Sequence, residues 1–160
     1  MAAKRQPGLI FLSFVAAAIL TILPLPDAMV WVRPYWMALI LIYWRLEAPG
    51  QVGLGTAFVA GLFLDLVLGT LLGHHALSLI IIAYIVGRFR LRIRFFPLWQ
   101  QAFAVLAVLL NDRLIHVWIL ALSGQGLPDW RILWPPFVAM LLWPWVFLIL
   151  DESRRRLRRR

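Results

Sequence analysis

Residues 28–46, AMVWVRPYWMALILIYWRL, decide how many times this chain crosses a bilayer. Arg33-Pro34 interrupts the start of this apolar run. Proline is favoured in the first turn of a helix, so regular helix begins near Tyr35. From Tyr35 to Leu46 such a helix reaches only about 18 Å at 1.5 Å per residue, short of the ~30 Å hydrocarbon core. Either residues 28–32 complete the crossing near the outer surface, or this segment does not span.

Working outward, further apolar runs fall near residues 8–23, 52–72, 74–88, 97–122 and 132–150. Together with 28–46 they make six expected spans in one domain of 160 residues, followed by a basic tail at 151–160. Hydrophobic residues make up 63% of the chain, only 14% are charged, and the mean hydropathy is +0.86. A soluble domain carries roughly a quarter charged residues, so the expected class is all-α, a polytopic helical bundle integral to a membrane. Without cysteine there is no disulfide, thiolate metal site or cysteine nucleophile. The first run continues into Pro24-Leu25-Pro26-Asp27 with no A-x-A cleavage pattern, which favours a retained helix over a removed signal.

The charges test the count independently. With six spans and the N-terminus inside, Lys4, Arg5, Arg45, Arg88, Arg90, Arg92, Arg94, Arg154, Arg155, Arg156, Arg158, Arg159 and Arg160 are cytoplasmic, thirteen of the sixteen basic residues. Only Arg33 and Arg131 fall in outer loops, and Arg113 lies within a span. That asymmetry follows the positive-inside rule, and five spans would break it. The net charge of +9 therefore reflects topology, not nucleic-acid binding, because the basic residues lie between and after apolar runs. Next to an anionic leaflet, Arg88, Arg90, Arg92, Arg94, Arg154, Arg155 and Arg156 are expected to contact lipid or an acidic partner. Trp31, Trp36, Tyr43, Trp44, Trp99, Trp130, Trp134, Trp143 and Trp145 cluster towards span ends, as headgroup-level anchors do. Pro135-Pro136 can open the last helix, and Pro144 should kink it.

The third run carries small residues at a strict spacing of four, Gly53, Ala57, Gly61, Asp65, Gly69 and Gly73. Small residues at that spacing let helix backbones approach closely. Each step drifts about 40° on a helix of 3.6 residues per turn. The whole ladder, read as one helix, would thus face two or more neighbours. Asp65 is costly at membrane depth and implies a partner or pathway. Asn111-Asp112-Arg113 and His116 on the fifth run supply partners. Asp65 and Asp112 each lie about 20 Å from the cytoplasmic side, so a buried polar knot between the third and fifth spans is expected. Arg113 would neutralise Asp112 or reach Asp65.

Catalytic readings are weaker. Asn111-Asp112-Arg113 is faintly similar to the Asn-x-x-Asp-Arg motif of lipoprotein signal peptidases, but the spacing differs and the second motif is missing. Leu64 stands before Asp65 where presenilin-like proteases have glycine. His74 and His75 are adjacent, and on a helix would point about 100° apart. They fit a helix start better than a metal site. Ser13, Ser78, Ser123 and Ser153 have no nucleophile-elbow context. No catalytic, cofactor or metal residue is expected.

Several stretches taken in order resemble the rod shape-determining MreD family of Gram-negative bacteria. They are Leu23-Pro24-Leu25-Pro26-Asp27, Val32-Arg33-Pro34-Tyr35-Trp36, Leu41-Ile42-Tyr43-Trp44, Gly61-Leu62-Phe63-Leu64-Asp65-Leu66 through Gly69 and Gly73, Ile82-Ala83-Tyr84, Leu98-Trp99-Gln100-Gln101, and Leu142-Trp143-Pro144-Trp145. The resemblance runs from about residue 8 to 150. It makes Arg33, Pro34 and Trp36 a candidate interface or conformational motif; Arg113 and the arginine tail inherit no family role. The resemblance implies a non-enzymatic inner-membrane protein of lateral wall growth that works with the single-span protein MreC. More indirectly, it implies association with MreB filaments, the RodA glycosyltransferase and its penicillin-binding transpeptidase. The family is also distantly similar to the substrate-binding subunits of energy-coupling factor transporters. That likeness implies an alternative, a small-molecule binder using Asp65, Asp112, Arg113, His74, His75 and His116.

Overall fold

A computed structural model describes residues 6–124, 126 and 128–159, apart from the side chains of Ile119, Arg158 and Arg159. Lys4, Arg5 and Arg160 lie outside the described residues. The described chain forms six α-helices and no strand: α1 (Pro7–Ile22), α2 (Trp36–Glu47), α3 (Leu54–Leu68), α4 (His74–Phe95), α5 (Leu98–Leu122) and α6 (Trp134–Arg159). Two 3-10 turns, Asp27–Val32 and Trp130–Leu133, precede α2 and α6. The helices run back and forth, so the two ends of the described chain meet. Gln6 Nε2 donates to the Arg154 carbonyl at 3.4 Å, and the Gln6 N–H donates to Gln51 Oε1 at 3.2 Å.

The decisive stretch is the centre of the bundle. Residues 28–46 do not form one helix: 28–32 belong to an exposed 3-10 turn, and α2 starts only at Trp36. Nine of the twelve α2 residues are buried, packed among α1, α4 and α6. The run Met37–Trp44 is buried throughout, so α2 meets neighbouring helices on every face and takes the middle position. At about 18 Å it is the shortest of the six α-helices, and its C-terminal end is covered by Arg90 from α4 and Arg154 from α6.

Every helix except α2 turns large apolar side chains outward, among them Phe11, Leu66, Tyr84, Trp118 and Leu141. Soluble monomers rarely expose contiguous apolar surface on this scale. Residues Leu98–Leu122 and Trp130–Leu157 are long and apolar enough to cross a membrane, and Pro7–Ile22 and Leu54–Leu68 are shorter apolar helices. Such an exterior suits a helical membrane protein.

Two tryptophans depart from the anchor expectation. Trp44 and Trp143 are fully buried. Trp44 donates its indole N–H to Ser13 Oγ at 2.7 Å, and Trp143 donates to Gln101 Oε1 at 3.4 Å. A buried indole N–H needs such an acceptor, and that is why polar Ser13 and Gln101 are themselves buried.

At the arginine-rich end, the arginines bind back onto the bundle. Residues 88–94 are a continuation of α4 and not a link between spans. Arg90 Nε donates to the Leu46 carbonyl at 2.8 Å, satisfying an orphan carbonyl at the end of α2. Glu47 pairs with Arg154 at 2.6 Å and Arg94 at 3.5 Å. The Arg45 guanidinium fills the space beside Gly87, within 2.5–3.0 Å of where a Cβ would stand, and donates to the Ala83 and Val52 carbonyls. Arg155 and Arg156 pair one turn back with Asp151 and Glu152. The tail from residue 151 thus extends α6, which runs unbroken past Pro144 to Arg159.

The glycine ladder is not one helical face. Gly53 caps the start of α3, and Gly69 and Gly73 take left-handed conformations with φ +64° and +96° beyond its end. Only Ala57, Gly61 and Asp65 lie within the helix, so the drift across it is about 80° and not the roughly 200° of the whole ladder. Gly61 makes the close approach: a Cβ there would lie 2.2 Å from Ala76 Cα on α4.

Candidate functional site: a polar crevice at the arginine-poor end

Asp65 sits in the last turn of α3. The two left-handed glycines, which avoid the steric penalty a Cβ would meet there, turn the chain back so that the α4 N-terminus meets its carboxylate. Asp65 Oδ2 accepts from the Gly73 N–H at 2.8 Å. Oδ1 accepts from the His75 N–H at 3.0 Å and the Thr70 hydroxyl at 2.8 Å, and lies 2.8 Å from His75 Nδ1. A carboxylate is favoured there because the first N–H groups of a helix lack partners and carry positive partial charge. The side chain is completely buried, and its neutralisation is local.

Asp112 on α5 is buried and accepts from Ser78 Oγ at 2.6 Å. Ser78 also stands 3.5 Å from the Tyr35 hydroxyl. Both aspartates therefore bind to α4. The direct junction between the third and fifth helices expected from sequence is replaced by one that α4 mediates. Arg113 reaches neither carboxylate: among the described residues it makes no ion pair, and its guanidinium lies 5.9 Å from the Tyr35 ring centre. His74 and His116 stack edge to face at 4.6 Å, and His74 and His75 at 5.1 Å. No cluster of three or more metal-ligating side chains occurs among the described residues.

These side chains surround a cavity of about 220 Å³, whose polar lining includes Arg33, Tyr35, Ser78, Asp112 and Arg113 with the three histidines. Pro34 also lines it, and the Trp36 N–H donates to the Pro34 carbonyl at 3.0 Å where α2 begins. Sequence reasoning missed Tyr35, Thr70 and Ser78. The spacing of His74 and Ser78, one turn apart on one helix face, was the signal available.

A second, larger opening lies sideways, between α1 and α3. It encloses about 980 Å³ and is lined by Phe11, Phe14, Ala18 and Ile22 from α1 and by Gly55, Thr56, Val59, Ala60 and Phe63 from α3, among others. None of the charged residues lines it.

The architecture defines a class first: a small membrane bundle with a buried short helix, an apolar lateral groove and a polar crevice at one end. The sequence profile described as rod shape-determining protein MreD matches residues 3–152. The rod shape-determining protein MreD of Haemophilus influenzae is 35% identical over 145 residues, covering 91% of this chain and 90% of that protein. The chain belongs to the MreD family, and its role is in rod shape determination. No solved structure matches it.

Proposed function

We propose that the chain is a non-enzymatic scaffold of the cell-elongation machinery, and that its α1/α3 groove receives the transmembrane helix of MreC. It would sit in the bacterial inner membrane with six crossings and both termini cytoplasmic. The observation that carries this reading is the groove itself. A helix with side chains is about 10 Å wide, so 980 Å³ accommodates roughly two turns of one. The wall contains Ala18, Gly55, Thr56 and Ala60, small residues of the kind that let helices meet in lipid through van der Waals contact. MreB, RodA and its transpeptidase would be engaged through MreC or at the cytoplasmic arginines. The absence of a catalytic role is supported by Asp65, whose oxygens already serve a helix terminus, His75 and Thr70.

Co-purification in mild detergent tests this. Ala60→Trp, which fills the groove, should lose MreC, while Leu141→Trp on the outer face of α6 should retain it. Wild-type recovery of MreC with Ala60→Trp would remove the groove from consideration.

A further inference from the structure

The crevice at the arginine-poor end carries a surplus of positive charge. Arg33 and Arg113 line it, and Asp112 is the one carboxylate on its lining, which leaves one positive charge when the histidines are neutral. Asp65, behind His75, is already satisfied by the α4 N-terminus. Arg33 donates through Nη2 to the Leu23 carbonyl, but its buried Nε has no hydrogen-bond partner. Arg113 contributes a guanidinium that makes no ion pair among the described residues and lies 5.9 Å from the Tyr35 ring centre. Sheltered cations without counter-charge are unfavourable, and guanidinium forks fit phosphate oxygens. The volume of about 220 Å³ far exceeds the ~10–15 Å³ that one water needs. It is somewhat below the ~300–1,000 Å³ of drug-sized ligand sites, which suits a headgroup.

We propose that this crevice binds the phosphodiester headgroup of an anionic, hydroxyl-bearing lipid, of the phosphatidylglycerol class. One negative charge matches the surplus. Arg33 and Arg113 clamp the phosphate, and Asp112, bonded to Ser78 through Oδ1, accepts a headgroup hydroxyl. Leu77, Ile81 and Ile115 continue the lining as an apolar wall, and Leu77 is 52% exposed on the outside of the bundle. A soluble phosphate would have no use for that wall, whereas an acyl chain would lie along it. This site is separate from the α1/α3 groove, and loss of lipid binding would leave MreC docking intact.

The test uses the full chain in detergent, with thermal unfolding followed as short-chain dioctanoyl phosphatidylglycerol is added. Dioctanoyl phosphatidylcholine and inorganic phosphate serve as comparison probes. Phosphatidylglycerol should raise Tm at least twice as far as phosphatidylcholine, and inorganic phosphate should leave it unchanged. Arg33→Gln and Arg113→Gln should abolish that preference, while Arg92→Gln and Arg155→Gln, at the other end, should keep it. Where Arg113→Gln does not elute as a single folded species, Arg113→Lys replaces it: a preference reduced by more than half supports the site, and an undiminished one overturns it. Equal shifts with the two lipids, a matching shift with inorganic phosphate, or full preference in both arginine-to-glutamine variants would each overturn the proposal.

Discussion

At Gly61 the backbones of α3 and α4 approach closely, and Gly61→Ala tests what that contact sustains. The added Cβ would lie 2.2 Å from Ala76 Cα and 2.4 Å from Ala76 N. Carbon atoms pack at about 3.5–4.0 Å, so the helices must separate by more than 1 Å (roughly). The obstacle is backbone, which cannot rotate aside as a side-chain tip can. Overpacking a well-packed interior costs about 1–3 kcal/mol. Separation also draws the α4 N-terminus away from Asp65, and a hydrogen bond to a charged group contributes ~1.5–3 kcal/mol. A total near 3 kcal/mol corresponds to roughly 6–12 °C in Tm on the scaling of soluble domains of this size. Thermal unfolding in detergent measures it, with Gly55→Ala as the comparison, because nothing lies within 4 Å of a Cβ there. Gly55→Ala should be neutral or stabilise by up to about 1 kcal/mol through helix propensity. Equal Tm values for wild type and Gly61→Ala would refute the close-approach reasoning.

Asp65→Ala leaves the Gly73 and His75 N–H groups and the Thr70 hydroxyl without their acceptor. At ~1–3 kcal/mol per buried unsatisfied group, it should unfold at lower temperature than Gly61→Ala; a Tm within a degree or so of wild type would contradict the capping role. Ser13→Ala removes the acceptor of the buried Trp44 indole. It should cost about 1–3 kcal/mol and change near-ultraviolet circular dichroism, whereas Ser153→Ala, a half-buried serine whose hydroxyl donates to the Ile149 carbonyl one turn back, should alter neither.

The sequence shows the membrane class plainly, because apolar runs and the sidedness of arginine are one-dimensional signals. It does not show which helix is central. In lipid, both the inside and the outside of a bundle are apolar, so α2 lacks the polar face that would mark an outer helix in water. The break at Arg33-Pro34 is legible, and what it leaves open as a short sixth span forms the core of the bundle. Gly69 and Gly73 read as ladder steps because their spacing fits, and only the turn geometry reveals them as left-handed positions. Asp65 is legible as an expensive residue, and its partners lie within ten positions of it. Ser78 and Asp112 are separated by 34 positions, and nothing local connects them. The same applies to the groove, which depends on how α1 and α3 diverge.

The MreC-docking groove can be tested most directly by cross-linking, since the chain has no cysteine of its own. Single cysteines at Phe14, Val59 and Ala60 in the groove, and at Phe103 and Leu141 on the outer faces of α5 and α6, would be paired with cysteines scanned along the transmembrane helix of MreC. The groove positions should form disulfides with a repeat of three to four residues along that helix, and the outer positions should form none. Cross-links confined to Phe103 and Leu141, with the groove positions silent, would contradict the account.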